Sequence, residues 1–157
     1  MGCPTLARMG RTVAAAVSAS DGPTGPGPGD APTILVAEDE GSVRSMIALV
    51  LRSRGYRTIL CADGLEAVTQ IEAGVHIDAV LMDIRMPRLG GVELVRFIRQ
   101  QPALRTLPVV AMSAYNDQRQ EREVLSAGAD IFLAKPFTVS DLSDALEALL
   151  GPRSRGS

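Results

Sequence analysis

Little in this chain of 157 residues suits thiol or soft-metal chemistry, since it holds two cysteines and one histidine. Cys3 lies near the amino terminus and Cys61 in an apolar setting. They form neither a disulfide framework nor a metal-ligand cluster, which places the chain in a reducing, cytoplasmic compartment. His76 sits between a helical and a strand pattern with no ligand-type neighbours, as a surface loop residue does, so any phosphohistidine chemistry needs a histidine from another protein. Long apolar runs are missing as well. The patch from Val13 to Val17 is too short to cross a membrane and marginal for a secretory signal. Gly2 and Cys3 sit like lipidation sites, but Leu6 stands where Ser or Thr belongs. Nor is there a surplus of cations: the net charge is -2, and the basic residues are dispersed, which argues against a nucleic-acid surface.

What is present is the composition of a soluble domain, 46% hydrophobic and 22% charged, long enough for one sizeable core. Pro and Gly alternate in "DGPTGPGPGDAP" and offer no apolar area to offset ordering, so residues 1–31 are expected to be a disordered leader. Met9 is an alternative start. Residues 32–150 form the expected folded domain and 151–157 a flexible tail. Within the domain, "TILVA" (33–37), "YRTILCA" (56–62), "DAVLM" (78–82), "LPVVAM" (107–112) and "DIFLA" (130–134) have the pattern of strands.

Helical spacing fills the gaps between them. Val43, Met46, Ile47, Val50 and Leu51 recur at three- and four-residue intervals before Gly55. Leu65, Val68 and Ile71 do so before Gly74, and Val92, Val95 and Ile98 lie in "GVELVRFIRQ". A more polar helix runs from about Asn116 to Ala127, and a last one starts at Thr138, whose spacing to Asp141 is that of a capping box and which buries Leu142, Leu146 and Leu149. Strict alternation of this kind implies an α/β domain: a parallel sheet of strands apolar on both sides, with helices on both faces. In such doubly wound sheets ligands bind beyond the carboxyl ends of the strands.

Those ends carry the polar residues. Glu38 and Asp39 follow the first strand, Asp83 the third, Ser113 the fourth, and Lys135 with Pro136 the fifth. Singly, each has an ordinary explanation: acids cap helices and complement their dipoles, Ser113 is a cap, and a lysine is a solvated cation. Their convergence on one edge is what argues for a site. Three carboxylates in one crevice repel, and each tends to keep its proton unless a cation intervenes. Oxygen ligands without His or Cys select Mg2+ or a similar ion, and a lysine and a hydroxyl opposite them suit a phosphoryl group. A carboxylate that accepts phosphate is expected. No Gly-rich turn follows the first strand, which weighs against a dinucleotide or flavin site.

With these residues in view, the chain resembles the receiver domains of two-component response regulators, in particular the stand-alone, chemotaxis-regulator-like ones. "VAEDE", "LMDIRMPRLGG", "MSA" and "FLAKPF" occur in the family's order and spacing, over about residues 33 to 150. The resemblance implies a flavodoxin-like (βα)5 fold with strand order 2-1-3-4-5. It implies Asp83 as phosphoacceptor, Mg2+ bound by Asp39 directly, by Glu38 through water and by the backbone carbonyl of Arg85, and a cis Lys135–Pro136 bond. Ser113 would hydrogen-bond the phosphoryl group, Lys135 would pair with it, and Phe132 would be the switch aromatic, where many relatives have Tyr. Arg85 and Tyr115 take the variable positions that flank the site.

A signalling switch is therefore expected rather than an enzyme that turns over external substrates. The donor would be a sensor histidine kinase or a histidine phosphotransfer protein, and the output a change in the face made by the fourth helix, fifth strand and fifth helix, or phosphorelay. With no effector domain expected after Ser157, the downstream partner would be a protein, with neither nucleic acid nor membrane involved. Arg119 and Arg122 against Asp141 and Asp144 also suit a phosphorylation-dependent homodimer. An unphosphorylated scaffold of the same fold is the alternative. An aspartyl-nucleophile phosphohydrolase is disfavoured because Arg85 stands where such enzymes commonly place a second Asp.

Overall fold

The computed structural model describes residues 31–114 and 118–151. The expected leader, with Cys3, and residues 152–157 of the expected tail lie outside the described residues. So do Tyr115 and the expected start of the fourth helix at Asn116. The described chain runs β1 (Thr33–Ala37), α1 (Gly41–Ser53), β2 (Arg57–Cys61), α2 (Gly64–Glu72), β3 (Ala79–Asp83), α3 (Gly91–Gln100), a short 3-10 turn (Pro102–Leu104), β4 (Val109–Ser113), α4 (Gln118–Ala127), β5 (Ile131–Ala134) and α5 (Val139–Leu150). All strand pairs are parallel, in the order β2-β1-β3-β4-β5. This is the doubly wound, flavodoxin-like arrangement that the alternation and the resemblance imply.

Period-two alternation along the central strands divides the core between two faces. Leu35, Val80, Met82, Val109 and Ala111 point to the side covered by α2, α3 and α4, where Ala67, Val95, Ile98 and Val124 meet them. Ile34, Val36, Leu81, Val110 and Met112 point the other way, against Ile47 and Leu51 of α1 and Leu142 and Leu146 of α5. Each fully buried Ile or Leu among these contributes on the order of 2 kcal/mol relative to exposure, so the sheet is held from both sides. Cys61 ends β2 within the α2–α4 core. Burial, with smaller contributions from the nearby Glu66 and Asp63 charges, pushes its thiol up to about 11, which removes it from nucleophilic chemistry at neutral pH.

Several expectations are corrected by the packing. The edge strands β2 and β5 are not buried on both sides: most of their residues are half-buried and Leu60 is exposed, because an edge strand has one neighbour and incomplete helix cover. Tyr56 is not part of β2, since its N–H returns to the Leu51 carbonyl at the end of α1. Asp83 and Ser113 are the last residues of their strands rather than the first beyond them, because the ladders continue through Asp83 opposite Met112 and Ser113 opposite Ala134. In α2 the wholly buried side chain is Ala67, while Leu65 is exposed; in α1, Met46 is exposed and Ala48 buried.

Local caps and side chains from distant segments brace the loops. Thr138 and Asp141 form the expected capping box at α5. Asp63 caps α2 by accepting the Glu66 N–H at 2.9 Å, and its other oxygen accepts from the Arg88 guanidinium, which holds the β3–α3 loop at a residue with φ of 69°. At the opposite end of the sheet, Arg99 of α3 donates to the carbonyls of Leu104, Leu107 and Gly128 and to Asp130, whose carboxylate also takes the Val109 N–H. A side chain at Gly128 would strike Arg99 Cγ at 2.8 Å, and φ there is +126°, so both space and backbone require glycine.

The buried Asp63 carboxyl lies below the usual carboxylate range, chiefly because the Glu66 N–H bonds it and secondarily because of Arg88; burial opposes them. Asp63→Ala should cost about 2 kcal/mol, the upper end for a lost cap, since the Arg88 anchor goes with it. A lowered folded pKa gives stability that is fully present above the unfolded value near 3.9 and lost as pH falls below it. Urea midpoints at pH 7 should separate wild type and variant, and the separation should shrink steadily below pH 4.

Candidate functional site

Parallel pairing brings the carboxyl ends of β1, β3, β4 and β5 side by side, and backbone bonds fix the residues that leave them. Glu38 N–H donates to Cys61 O at 3.1 Å, Ile84 N–H to Met112 O at 2.9 Å, and Lys135 N–H to Ser113 O at 2.8 Å. The Lys135–Pro136 bond is cis, as the resemblance implies. α3 starts hard against the end of β3. The Gly91 N–H bonds the Ile84 carbonyl, and a Cβ on Gly91 would lie 2.8 Å from the Asp83 carbonyl oxygen, so only glycine allows that approach.

The side chains then meet. One oxygen from each of Glu38, Asp39 and Asp83 falls within 4.8 Å of the others. Glu38, 1% exposed, accepts from Lys135 Nζ on Oε1 at 2.7 Å and from the Glu40 N–H on Oε2 at 3.1 Å. The same Nζ lies 3.3 Å from Asp83 Oδ2. Arg44 of α1 donates to the Glu38 carbonyl at 2.6 Å and so pins that residue's backbone. The Ser113 hydroxyl donates to Gln120 Oε1 of α4 at 2.9 Å. Phe132 is half-buried against the α2–α4 side of the core. The structure thus brings Glu38, Asp39, Asp83, Ser113 and Lys135 to one strand edge, with Phe132 on β5 and Arg85 two residues beyond the end of β3.

Burial raises the Asp83 carboxyl above its ordinary range; the Lys135 charge opposes this and the Glu38 charge adds to it. Burial disfavours the Lys135 ammonium, but the hydrogen bond it donates to Glu38 and the charges of Asp83 and Glu38 outweigh it, and the lysine ends above its usual value. Lysine is therefore the intervening cation that three adjacent carboxylates require. With all four groups ionised, three negative charges and one positive charge leave two negative charges in an all-oxygen donor set. That is the charge and the ligand chemistry of a hard divalent cation, and Asp39 is the exposed member able to meet one that keeps most of its waters. The residues fit Mg2+.

A family model described as the response regulator receiver domain matches residues 34–147, which include every residue of this cluster. The chain belongs to that family. Response regulator MprA of Mycobacterium sp. strain KMS is 38% identical over 117 residues, covering 74% of this chain and 50% of MprA, so the receiver chain spans about half the length of that relative. Polar-differentiation response regulator DivK of Brucella ovis is 27% identical over 119 residues, covering 76% of this chain and 96% of DivK. Among solved structures, the receiver domain of sensor histidine kinase PA1611 from Pseudomonas aeruginosa PAO1 is 39% identical with a TM-score of 0.72, over 77% of this chain and 98% of that one. It holds a magnesium ion in its active-site cleft. Receiver domains are signalling modules, and the acidic cluster of this one is compatible with the magnesium that such a cleft takes.

Four residues around the receiver site were not evident from its sequence. Asp63 had a signal, the spacing to Glu66 that marks a helix cap. Arg44, Arg88 and Gln120 had none, because each acts through a contact that only the folded chain creates.

Removing Lys135 would leave Glu38 buried and unpaired. Lys135→Ala should lower stability by roughly 3 kcal/mol, the low end for breaking a buried ion pair because the lysine is partly solvated. Adding Glu38→Gln should restore most of that loss, as read from urea midpoints. Asp83→Asn should act in the opposite sense. A raised carboxyl pKa is a cost to the fold that is absent below the unfolded value near 3.9, builds as pH rises towards the folded pKa and is complete above it. In metal-free buffer the variant should melt above wild type at pH 7, and the gain should vanish on acidification.

Proposed function

We propose that Asp83 of this receiver accepts a phosphoryl group from a phosphohistidine of a sensor histidine kinase or a histidine phosphotransfer protein. The observation that carries the reading is the shared ammonium: Lys135 Nζ reaches both the buried Glu38 and Asp83, beside an exposed Asp39. An Asp83 carboxylate oxygen attacks phosphorus. The new O–P bond forms as the P–N bond breaks, and the electron pair returns to the ring nitrogen of the donor. Asp39, Asp83 and the backbone carbonyl of Arg85, with Glu38 through water, would hold Mg2+, which when bound would supply positive charge and orientation for the phosphoryl oxygens. Lys135 then neutralises an added oxygen, for which its 3.3 Å distance from Asp83 Oδ2 is support. A mainly apolar cavity of about 380 Å3 lined by Val43, Met46, Ala114, Pro136 and Phe137 adjoins Lys135 and gives an incoming donor non-polar surface beside that lysine.

The Ser113 hydroxyl turns to the phosphoryl group and Phe132 packs further inward, so that the α4–β5–α5 face changes. That face is the output, through contact with a downstream protein, through relay of the phosphate, or through pairing of two copies. Arg119, Arg122, Asp141 and Asp144 are exposed on it and suit an interface with opposed charges. Residues 32–150 form the functional receiver unit.

Incubation with acetyl phosphate and Mg2+ should add one hydroxylamine-labile phosphoryl group per chain by intact mass. Asp83→Asn should abolish it, and EDTA should suppress it. Equal labelling of Asp83→Asn and wild type would exclude Asp83, and undiminished labelling in EDTA would exclude the metal.

A further inference from the structure

Ser113 closes β4 with its side chain buried, and its hydroxyl donates to Oε1 of Gln120, the third residue of α4, at 2.9 Å. A serine hydroxyl has one proton to give. The oxygens of an ionised phosphoryl group only accept, so the bond that Ser113 makes to a phosphorylated Asp83 uses the proton that Gln120 now holds. The two bonds exclude each other. Meanwhile the Ser113 carbonyl stays tied to the Lys135 N–H within the sheet, so an exchange at the hydroxyl leaves the strand in place and alters what the pocket shares with α4.

We propose that Gln120 is a positioning residue that latches α4 to Ser113 in the unphosphorylated receiver, and that phosphorylation releases α4 by taking the Ser113 proton away. This rests on the phosphoacceptor reading above. The competition has a defined direction: Gln120 offers a neutral amide oxygen and the phosphoryl group a charged one, and charge-assisted hydrogen bonds are about twice as strong as neutral ones. The helix moves because its anchor loses a contest for a single hydrogen. Far from this end, Arg99 donates from α3 to the Gly128 carbonyl at 2.8 Å, immediately after the last residue of α4. The latch therefore acts on the amino-terminal turn of a helix whose other end is held.

Backbone amide shifts test the latch. In wild-type protein, free and treated with acetyl phosphate and Mg2+, the α4 amides define a line between two end states. Gln120→Ala should move the unphosphorylated protein along that line toward the phosphorylated end, raising the population ratio roughly fivefold, the worth of one neutral hydrogen bond. Gln120→Glu, which offers the same hydroxyl a charged acceptor, should move it the other way and demand more phosphorylation for the same shift. On a Ser113→Ala background neither substitution should have a further effect. Opposite signs for Ala and Glu, abolished together by Ser113→Ala, are not the result of a merely structural glutamine. If wild type and both variants take up label normally but the unphosphorylated spectra do not move along the line, the latch is wrong and the phosphoacceptor reading stands. If intact mass shows no label on wild type, both fall together.

Discussion

A carboxylate cannot stay buried and ionised without a counter-charge, and Glu38 finds its own in Lys135, a residue almost a hundred positions along the chain. The rest of the site depends on this pair. Lys135 lies close enough to Asp83 to share its ammonium, and it is fixed there by its own N–H on the Ser113 carbonyl, so one bridge ties the ends of β1, β3, β4 and β5 together. The bridge is incomplete as a neutraliser. Asp83 remains above its ordinary pKa because burial and Glu38 together outweigh Lys135, and Asp39 is left exposed. A site held two charges short is poised for a dication rather than closed around its lysine.

The sheet makes this possible at little local cost. The apolar strand segments are buried on both sides through β1, β3 and β4, and the polar groups of the site begin only with the last residues of β3 and β4 and the residues that follow β1 and β5. Core stability and site chemistry are therefore separated along each strand: the residues that hold the fold lie within it, and those that carry charge lie at its carboxyl end. Asp63 with Arg88 and Arg99 with Asp130 then secure the loops at the two ends of the sheet, one near the site and one remote from it.

Much of this was legible in the sequence for a physical reason. Alternation of strand and helix patterns dictates parallel pairing, parallel pairing puts all carboxyl ends on one edge, and so Glu38, Asp39, Asp83, Ser113 and Lys135 could be placed together without coordinates. Strand limits were less legible, since hydrophobicity does not report that the ladder continues through a charged Asp83 or a hydroxylic Ser113. Helix faces were less legible where small residues are the buried ones: Ala67 and Ala48 are buried while Leu65 and Met46 are exposed. The arginine braces were illegible. Arg88 and Arg99 bond residues in other elements, and a lone arginine has no pattern to betray its partner.

Charge accounting shows why hydrogen-bond donors would matter more once Asp83 carried the proposed phosphoryl group. A phosphoryl group brings roughly two negative charges, by analogy with other phosphorylated side chains, and consumes the one on Asp83. The pocket's excess of negative charge thus grows by about one for any given metal content, and the demand falls on groups that can donate without further desolvation. Lys135 is already there, paired to Glu38, and can turn only part of its charge to the newcomer. The buried Ser113 hydroxyl is the neutral donor within the edge, and its proton is committed to α4. On the proposed reading, an electrostatic demand created at β3 would be met by withdrawing a hydrogen bond from a helix, and a change of charge on one carboxylate would become a change of shape at the surface.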